Sequence, residues 1–187
     1  MGIREVCGTV KAVEAAALEK AWKRLDNLTK PRRSLGYLEE MAARYVAIRE
    51  EEKPVVGKKQ VFVFVGDHKV VEEGISAYPA EVTGLMVKNF CHGGAAINVL
   101  ARRAGADVEV SDIGMATDPG KQRGLVNRNI KRGADNIARG PAMAVDEAVR
   151  AIEVGIERAT EAAGKGVTIA ATGDMGIGNT TAAAAIT

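Results

Sequence analysis

Gln60-Val61-Phe62-Val63-Phe64-Val65-Gly66-Asp67-His68 decides how this chain reads. Five consecutive Val and Phe residues without an interior charge, closed by a glycine and an Asp-His pair, predict a strand buried on both faces with a polar loop at its carboxyl end. Moving toward the C-terminus, Val108 to Ile113 and Gly166 to Thr172 have the same character, and the second closes on Gly173-Asp174. Helical patterns lie between them. Val82, Met86, Val87 and Phe90 recur at helical spacing up to Gly93-Gly94, with Pro79 placed for a first helical position; Ala95 to Ala104 and Val145 to Ala163 follow. Strands alternating with helices predict an α/β fold with a mostly parallel, Rossmann-like sheet and flanking helices. Such a sheet binds ligands in a crevice at the carboxyl ends of its strands. Asp67, Asp112 and Asp174 all fall at those ends.

Toward the N-terminus the period changes. Val13, Ala17, Leu18, Ala21, Trp22 and Leu25 predict one amphipathic helix over 10–25, stopped at Lys30-Pro31. Ser34 is placed to cap a second helix through Leu35, Leu38, Met41, Ala42 and Tyr45. No strand accompanies them, so residues 1–53 are expected to form an N-terminal piece of a small helical domain. After a linker around Pro54, residues 59–187 are expected to form the nucleotide-binding domain. Gly114 to Arg139 has weak periodicity and reads as a surface excursion, with Arg123, Arg128, Lys131, Arg132 and Arg139 solvated. Asn179 to Thr187 opens a crossover helix with no strand after it, so the sheet is expected to be incomplete within these residues.

Composition narrows the partners. The 187 residues carry 26 Lys and Arg against 24 Asp and Glu, a formal charge of +2, too little to steer the chain onto nucleic acid or a membrane surface. No apolar run approaches the roughly 20 residues of a membrane-spanning helix. Cys7 and Cys91 are far apart and lack metal-ligand spacing, which predicts reduced thiols in a cytoplasmic protein. A small-molecule partner is therefore expected.

The sharpest local feature is Thr172-Gly173-Asp174-Met175-Gly176-Ile177-Gly178-Asn179-Thr180-Thr181, a glycine-rich stretch between a strand and a helix. Glycines allow close backbone approach, a helix start offers N–H groups and a positive dipole end, and Asn179, Thr180 and Thr181 add side-chain donors. It lacks the lysine of a P-loop and the spacing of a dinucleotide fingerprint. On its own it reads equally as an anion cradle or as a tight turn. Around the first strand end, Asp67 and His68 precede Glu72, Glu73, Ser76 and Tyr78. With His92 the only other imidazole, no metal site is expected there. His68 reads as a hydrogen-bonded pocket wall, Glu72 and Glu73 as a solvated turn, and His92 as a helix-end residue favoured by the dipole.

Taken together, these stretches resemble one family, the nicotinate-nucleotide:dimethylbenzimidazole phosphoribosyltransferases. The matching segments are Leu25-Asp26-Asn27-Leu28-Thr29-Lys30-Pro31 with Ser34-Leu35-Gly36, Gly66-Asp67-His68 with Glu73-Gly74-Ile75-Ser76-Ala77-Tyr78-Pro79, Asn89-Phe90 with Gly93-Gly94, Arg139-Gly140-Pro141, and Gly173 to Thr181. The resemblance implies phosphoribosyl transfer from nicotinate mononucleotide to 5,6-dimethylbenzimidazole or a related aromatic base. The products would be alpha-ribazole phosphate and nicotinate, in cobalamin biosynthesis, made by a homodimer without cofactor or metal. It implies nucleotide and phosphate binding by Gly173, Met175, Gly176, Gly178, Asn179, Thr180 and Thr181. It also implies a supporting carboxylate at Asp174 and an acceptor-base pocket of Asp67, His68, Ser76, Tyr78 and Leu85. The family's general base, a glutamate, has no counterpart in these residues, so a short nucleotide- or base-binding regulatory protein of the same fold is the alternative expectation. Four departures stand out: Asp174 where the family has Glu, Leu85 where it commonly has Gln, and Lys69 and Arg33 where it has Gly.

Overall fold

A computed structural model describes residues 2–187. The chain divides into two compact units, Arg4–Val56, which holds the first helix from its second residue onward, and Gly57–Thr187, with which Ile3 and Gly2 are grouped.

In the first unit, α1 (Ile3–Thr9) is followed by α2 (Ala15–Asp26) and α3 (Tyr37–Arg49). The last two pack through the buried small residues Ala21, Ala43 and Ala47, which let the helices approach closely. The predicted helix over 10–25 begins only at Ala15. Val10 and Val13, which extend its apolar stripe in sequence, are exposed at 74% and 48%. Ser34 does not cap α3 either: that role falls to Gly36, and the helix begins at Tyr37. In place of a serine hydroxyl, the buried Glu39 reaches back to accept the Leu35 N–H at 2.9 Å while pairing with Lys30 at 2.9 Å. Those contacts hold its carboxyl below the ordinary range, the Lys30 hydrogen bond first and the Leu35 N–H second. The connecting turn places Arg33 in the left-handed region at φ 60°, with its guanidinium 3.5 Å above the Trp22 ring and its Nε 3.3 Å from Asp26 Oδ1.

The second unit is an α/β layer structure. β1 (Lys58–Gly66) lies at the centre, parallel to both β2 (Ala106–Gly114) and β4 (Val167–Met175). A short β3 (Leu125–Asn127), unmarked by the sequence pattern, pairs parallel with β2, giving the order β3-β2-β1-β4. This is the order of doubly wound sheets, in which the chain runs outward from the first strand on one side and then returns to add strands on its other side. Alternation divides the side chains of β1 between two faces. Val63 and Val65 join Val110, Met115 and Val87 of α4 (Val82–Cys91) in the core, with Ile97 of α5 (Ala96–Ala104) against it. Phe62 and Phe64 stack on the other face with ring centroids 6.2 Å apart, where α6 (Val145–Gly164) runs.

α6 is fixed to β2 by charge. Arg158, 5% exposed, meets Glu109 through Nε at 2.7 Å and Nη2 at 2.9 Å and also pairs with Glu161. A planar fork gripping a carboxylate sets both the position and the rotation of the helix. The basic excursion is likewise engaged rather than simply solvated. Arg128 pairs with Glu157 of α6 at 2.7 Å, Lys131 with Asp135 and Glu147, and Arg139 with Glu73 at 2.8 Å. Glu73, expected in a solvated turn, also accepts from Asn136 at 2.7 Å, and these contacts hold its carboxyl below the usual range, Asn136 contributing most. Lys69, a departure from the family pattern, pairs with Asp135 at 2.7 Å. Pro79 lies three residues ahead of α4, its carbonyl accepting the Val82 N–H in a preceding turn. The last helix, α7, spans Asn179–Ile186.

Candidate active site

β4 runs through Gly173 and Asp174 to Met175, so the glycine-rich stretch is half strand and half turn. The turn itself, Gly176-Ile177-Gly178, leads into α7 and is pressed onto the end of β1. A Cβ on Gly176 would overlap the Gly66 carbonyl oxygen and come 3.0 Å from Cδ2 of His68. Gly178 is left-handed at φ 88°, a conformation glycine adopts without steric cost. From the other side Thr83, fully buried on α4, accepts the Ile177 N–H at 3.1 Å. Thr83 carries no sequence signal for this role, since an alcohol on an amphipathic helix is ordinary.

The turn spends several of its donors on itself. The Asn179 N–H donates to the Gly176 carbonyl at 2.9 Å and the Thr180 N–H to Asn179 Oδ1 at 2.9 Å. The amide of Asn179 donates in turn to Asp174 Oδ2 at 2.7 Å, orienting that carboxylate at the strand end. The hydroxyls of Thr180 and Thr181 donate to no other described residue.

Two cavities meet at Met175. The smaller, of about 250 Å³, is polar, and Ser76, Gly176, Gly178, Asn179, Thr180 and Thr181 line it together with Ile75 and Ile177. The larger, of about 380 Å³, is mostly apolar and lies on the α6 side of the sheet. Asp67, His68, Asp174 and Lys131 are its charged or titratable walls, and Phe64, Met143 and Ile152 are among its apolar ones. Periodicity could mark Ile152 as a face residue of α6 but could not say what it faced. The structure thus divides the expected site residues between two spaces. Tyr78 and Leu85 lie on the surface, 65% and 62% exposed, and Gly173 borders neither cavity.

The carboxylates at the strand ends differ in environment. Asp112 is fully buried; burial pushes its carboxyl up, opposed by hydrogen bonds from the Met115 N–H at 2.8 Å and from Asn129. It therefore works as a brace inside the loop. Asp67 accepts the Ala116 N–H at 2.8 Å through Oδ2, while Oδ1 is buried without a partner. Burial pulls His68 below 6.5, opposed by the charges of Asp174 and Asp67. Its ring makes no hydrogen bond to another described residue, contrary to the sequence expectation. His92 caps α4, its Nδ1 2.7 Å from the Lys88 carbonyl oxygen. Among the described residues no cluster of three or more His, Cys, Asp or Glu could hold a metal, and no helix is long and apolar enough to cross a membrane.

Comparison with known proteins gives this geometry a context. The chain is 53% identical over 184 residues to the nicotinate-nucleotide--dimethylbenzimidazole phosphoribosyltransferase of Geobacter sulfurreducens, across 98% of this chain and 52% of that one. It is 48% identical over 183 residues to the protein of the same name from Chlorobaculum parvum. The crystal structure of the nicotinate-nucleotide-dimethylbenzimidazole phosphoribosyltransferase from Thermus thermophilus matches with a TM-score of 0.87 and 49% identity, over 92% of this chain and 52% of that one. The chain spans about half the length of the relatives it matches. A family model described as phosphoribosyltransferase matches residues 10–187, and the chain belongs to that family.

Proposed function

We propose that the chain forms the donor-binding part of an enzyme that transfers the phosphoribosyl group of nicotinate mononucleotide to 5,6-dimethylbenzimidazole or a related aromatic base, giving alpha-ribazole phosphate and nicotinate. The observation that carries this reading is the turn at Gly176-Ile177-Gly178, seated on the end of β1 beside Asp174 in a chain 53% identical to a protein of that name. The polar cavity at the start of α7 takes the phosphate. Thr180 and Thr181 line it, and the helix dipole favours an anion there.

The chemistry needs no metal. When the C1′–N bond of the donor breaks, its electron pair stays on the pyridinium nitrogen, so the ring departs neutral and the positive charge remains on an oxocarbenium-like sugar to be stabilised. Asp174, fixed by Asn179, supplies negative charge near that sugar. The acceptor base lies toward Ser76, Tyr78 and Leu85, with Asp67 and His68 behind the turn. We further propose that the protein acts in the cytoplasm as a homodimer.

The test pairs binding with turnover. Calorimetric titration of the 187-residue chain with nicotinate mononucleotide is expected to show binding that Gly178→Val abolishes. In a chain extended to the relatives' length, Asp174→Asn is expected to lower kcat at least tenfold with the melting temperature unchanged. Failure of the chain to bind the nucleotide, or full activity in the variant, defeats the reading. The half-length match supports one further reading, that these residues alone bind ligand without turnover, and nicotinate release by the 187-residue chain at enzymatic rates would exclude it.

A further inference from the structure

α4 buries two of its side chains, Thr83 and Val87, one helical turn apart on the same face. Val87 joins Val63, Val65, Val110 and Met115 in the core, where an apolar residue is expected. Thr83 is the exception, an alcohol with no exposed surface. A buried hydroxyl needs a hydrogen bond, and a valine of the same shape would fill the space without that requirement. The bond that Thr83 makes is not local. A helical threonine can satisfy itself on the carbonyl one turn back, but here Oγ1 accepts the N–H of Ile177, 94 positions later, at 3.1 Å. Among the described residues it is the only side-chain hydrogen bond that reaches the turn and the start of α7 from outside β4 and α7.

That bond fixes a peptide plane, and the effect runs forward along the chain. A trans peptide is planar, so directing the Ile177 N–H at α4 directs the Gly176 carbonyl the opposite way. The carbonyl accepts the Asn179 N–H at 2.9 Å. Asn179 then donates to Asp174 Oδ2 at 2.7 Å and accepts the Thr180 N–H at 2.9 Å. Contact also limits the turn elsewhere, since a Cβ on Gly178 would come 3.4 Å from Ile75 and Val70, but contact does not choose which way a peptide faces. We propose that Thr83 is a positioning residue of the donor site: its hydroxyl orients the Gly176–Ile177 peptide and, through Asn179, places the Asp174 carboxylate. This role rests on the reading of the turn as the donor-binding element, and Thr83 itself lines neither cavity. With valine at this position the Ile177 N–H loses its acceptor, and the peptide turns to find another, carrying the Gly176 carbonyl away from Asn179.

Two substitutions separate positioning from packing. Thr83→Val keeps the shape and removes the acceptor, whereas Thr83→Ser keeps the acceptor and removes a buried methyl group. Calorimetric titration of the 187-residue chain with nicotinate mononucleotide is expected to show at least tenfold weaker binding in Thr83→Val. Thr83→Ser is expected to bind within about twofold of the parent although it melts at a lower temperature. A residue serving stability alone would move affinity and melting temperature together in both variants. Without ligand, amide hydrogen exchange at Ile177 and Asn179, relative to the amides of β1, is expected to be at least tenfold faster in Thr83→Val and unchanged in Thr83→Ser. In a chain extended to the relatives' length, Thr83→Val is expected to lower kcat at least fivefold as well as to raise KM for the nucleotide, because Asp174 is displaced. Parent-like affinity, exchange or kcat in Thr83→Val overturns the proposal, as does a loss of affinity in Thr83→Ser equal to that in Thr83→Val. A parent chain that does not bind the nucleotide defeats the donor reading instead, and the exchange contrast then decides by itself whether Thr83 orients the turn.

Discussion

Gly176 lies so close to Gly66 that a single carbon added to it would overlap the Gly66 carbonyl oxygen. The turn before α7 is therefore held to the end of β1 by backbone contact, and it forms the floor of the polar cavity at the start of α7. Gly176→Ala is expected to destabilise the chain by roughly 1–3 kcal/mol, the usual cost of overpacking a fixed site, and to weaken nucleotide binding with it. Gly173 makes the comparison: the nearest atom to its added Cβ is the Phe62 carbonyl oxygen at 4.0 Å, so Gly173→Ala is expected to be tolerated. Denaturant unfolding of the two variants checks the contrast, and equal midpoints would refute it.

Arg33 combines a cost with a compensation. A non-glycine residue in the left-handed region carries about 1 kcal/mol of strain, and a half-exposed cation over an indole recovers ~0.5–1 kcal/mol. Arg33→Ala keeps the strain and loses the stacking, whereas Arg33→Gly loses both. The expected order of urea midpoints is therefore alanine lowest, with glycine close to the parent. An alanine variant as stable as the glycine one would show that the stacking over Trp22 contributes nothing.

Arg158 is nearly buried and grips Glu109 with two nitrogens. Arg158→Ala strands the carboxylate of Glu109 with Gln60 at 3.2 Å and the Ser111 hydroxyl at 3.5 Å as its remaining partners, neither of them charged, and is expected to cost about 3 kcal/mol. Replacing both, Arg158→Leu with Glu109→Leu, removes the unpaired charge and is expected to cost less than the single change. Paired chemical denaturation curves would test this, and a double variant no better than the single one would count against it.

His68 predicts a pH dependence. Burial lowers its pKa in the folded chain below 6.5, with the carboxylates of Asp67 and Asp174 partly opposing. The unfolded chain then binds the proton more readily than the folded one, so this contribution is complete above about pH 6.5 and is lost as pH falls through that value. Melting temperature is expected to drop between pH 7 and pH 5.5. His68→Gln should flatten that segment of the profile, and an unchanged slope in the variant would assign the effect elsewhere.

The alternation of Val and Phe in β1, the helical periods of α2, α5 and α6 and the turn residues between them were enough to specify a parallel α/β sheet preceded by helices, because burial forces those periods on any chain that adopts those elements. The order of acidic strand ends was legible for the same reason. Tertiary structure alone determined which of them share a space. Asp112 is sealed inside its loop, Asp67 and Asp174 border one cavity, and Ser76 faces another with Thr180 and Thr181, because these distances depend on sheet register and on how α6 sits over β1. The short β3 and the engaged basic excursion were invisible for a related reason. Leu125–Asn127 is too brief to show a period, and the partners of Arg128 and Arg139 are 29 and 66 residues away, beyond any local pattern. The positive φ at Arg33 was equally hidden, since nothing in a sequence marks a residue whose strain is offset by an indole eleven positions earlier.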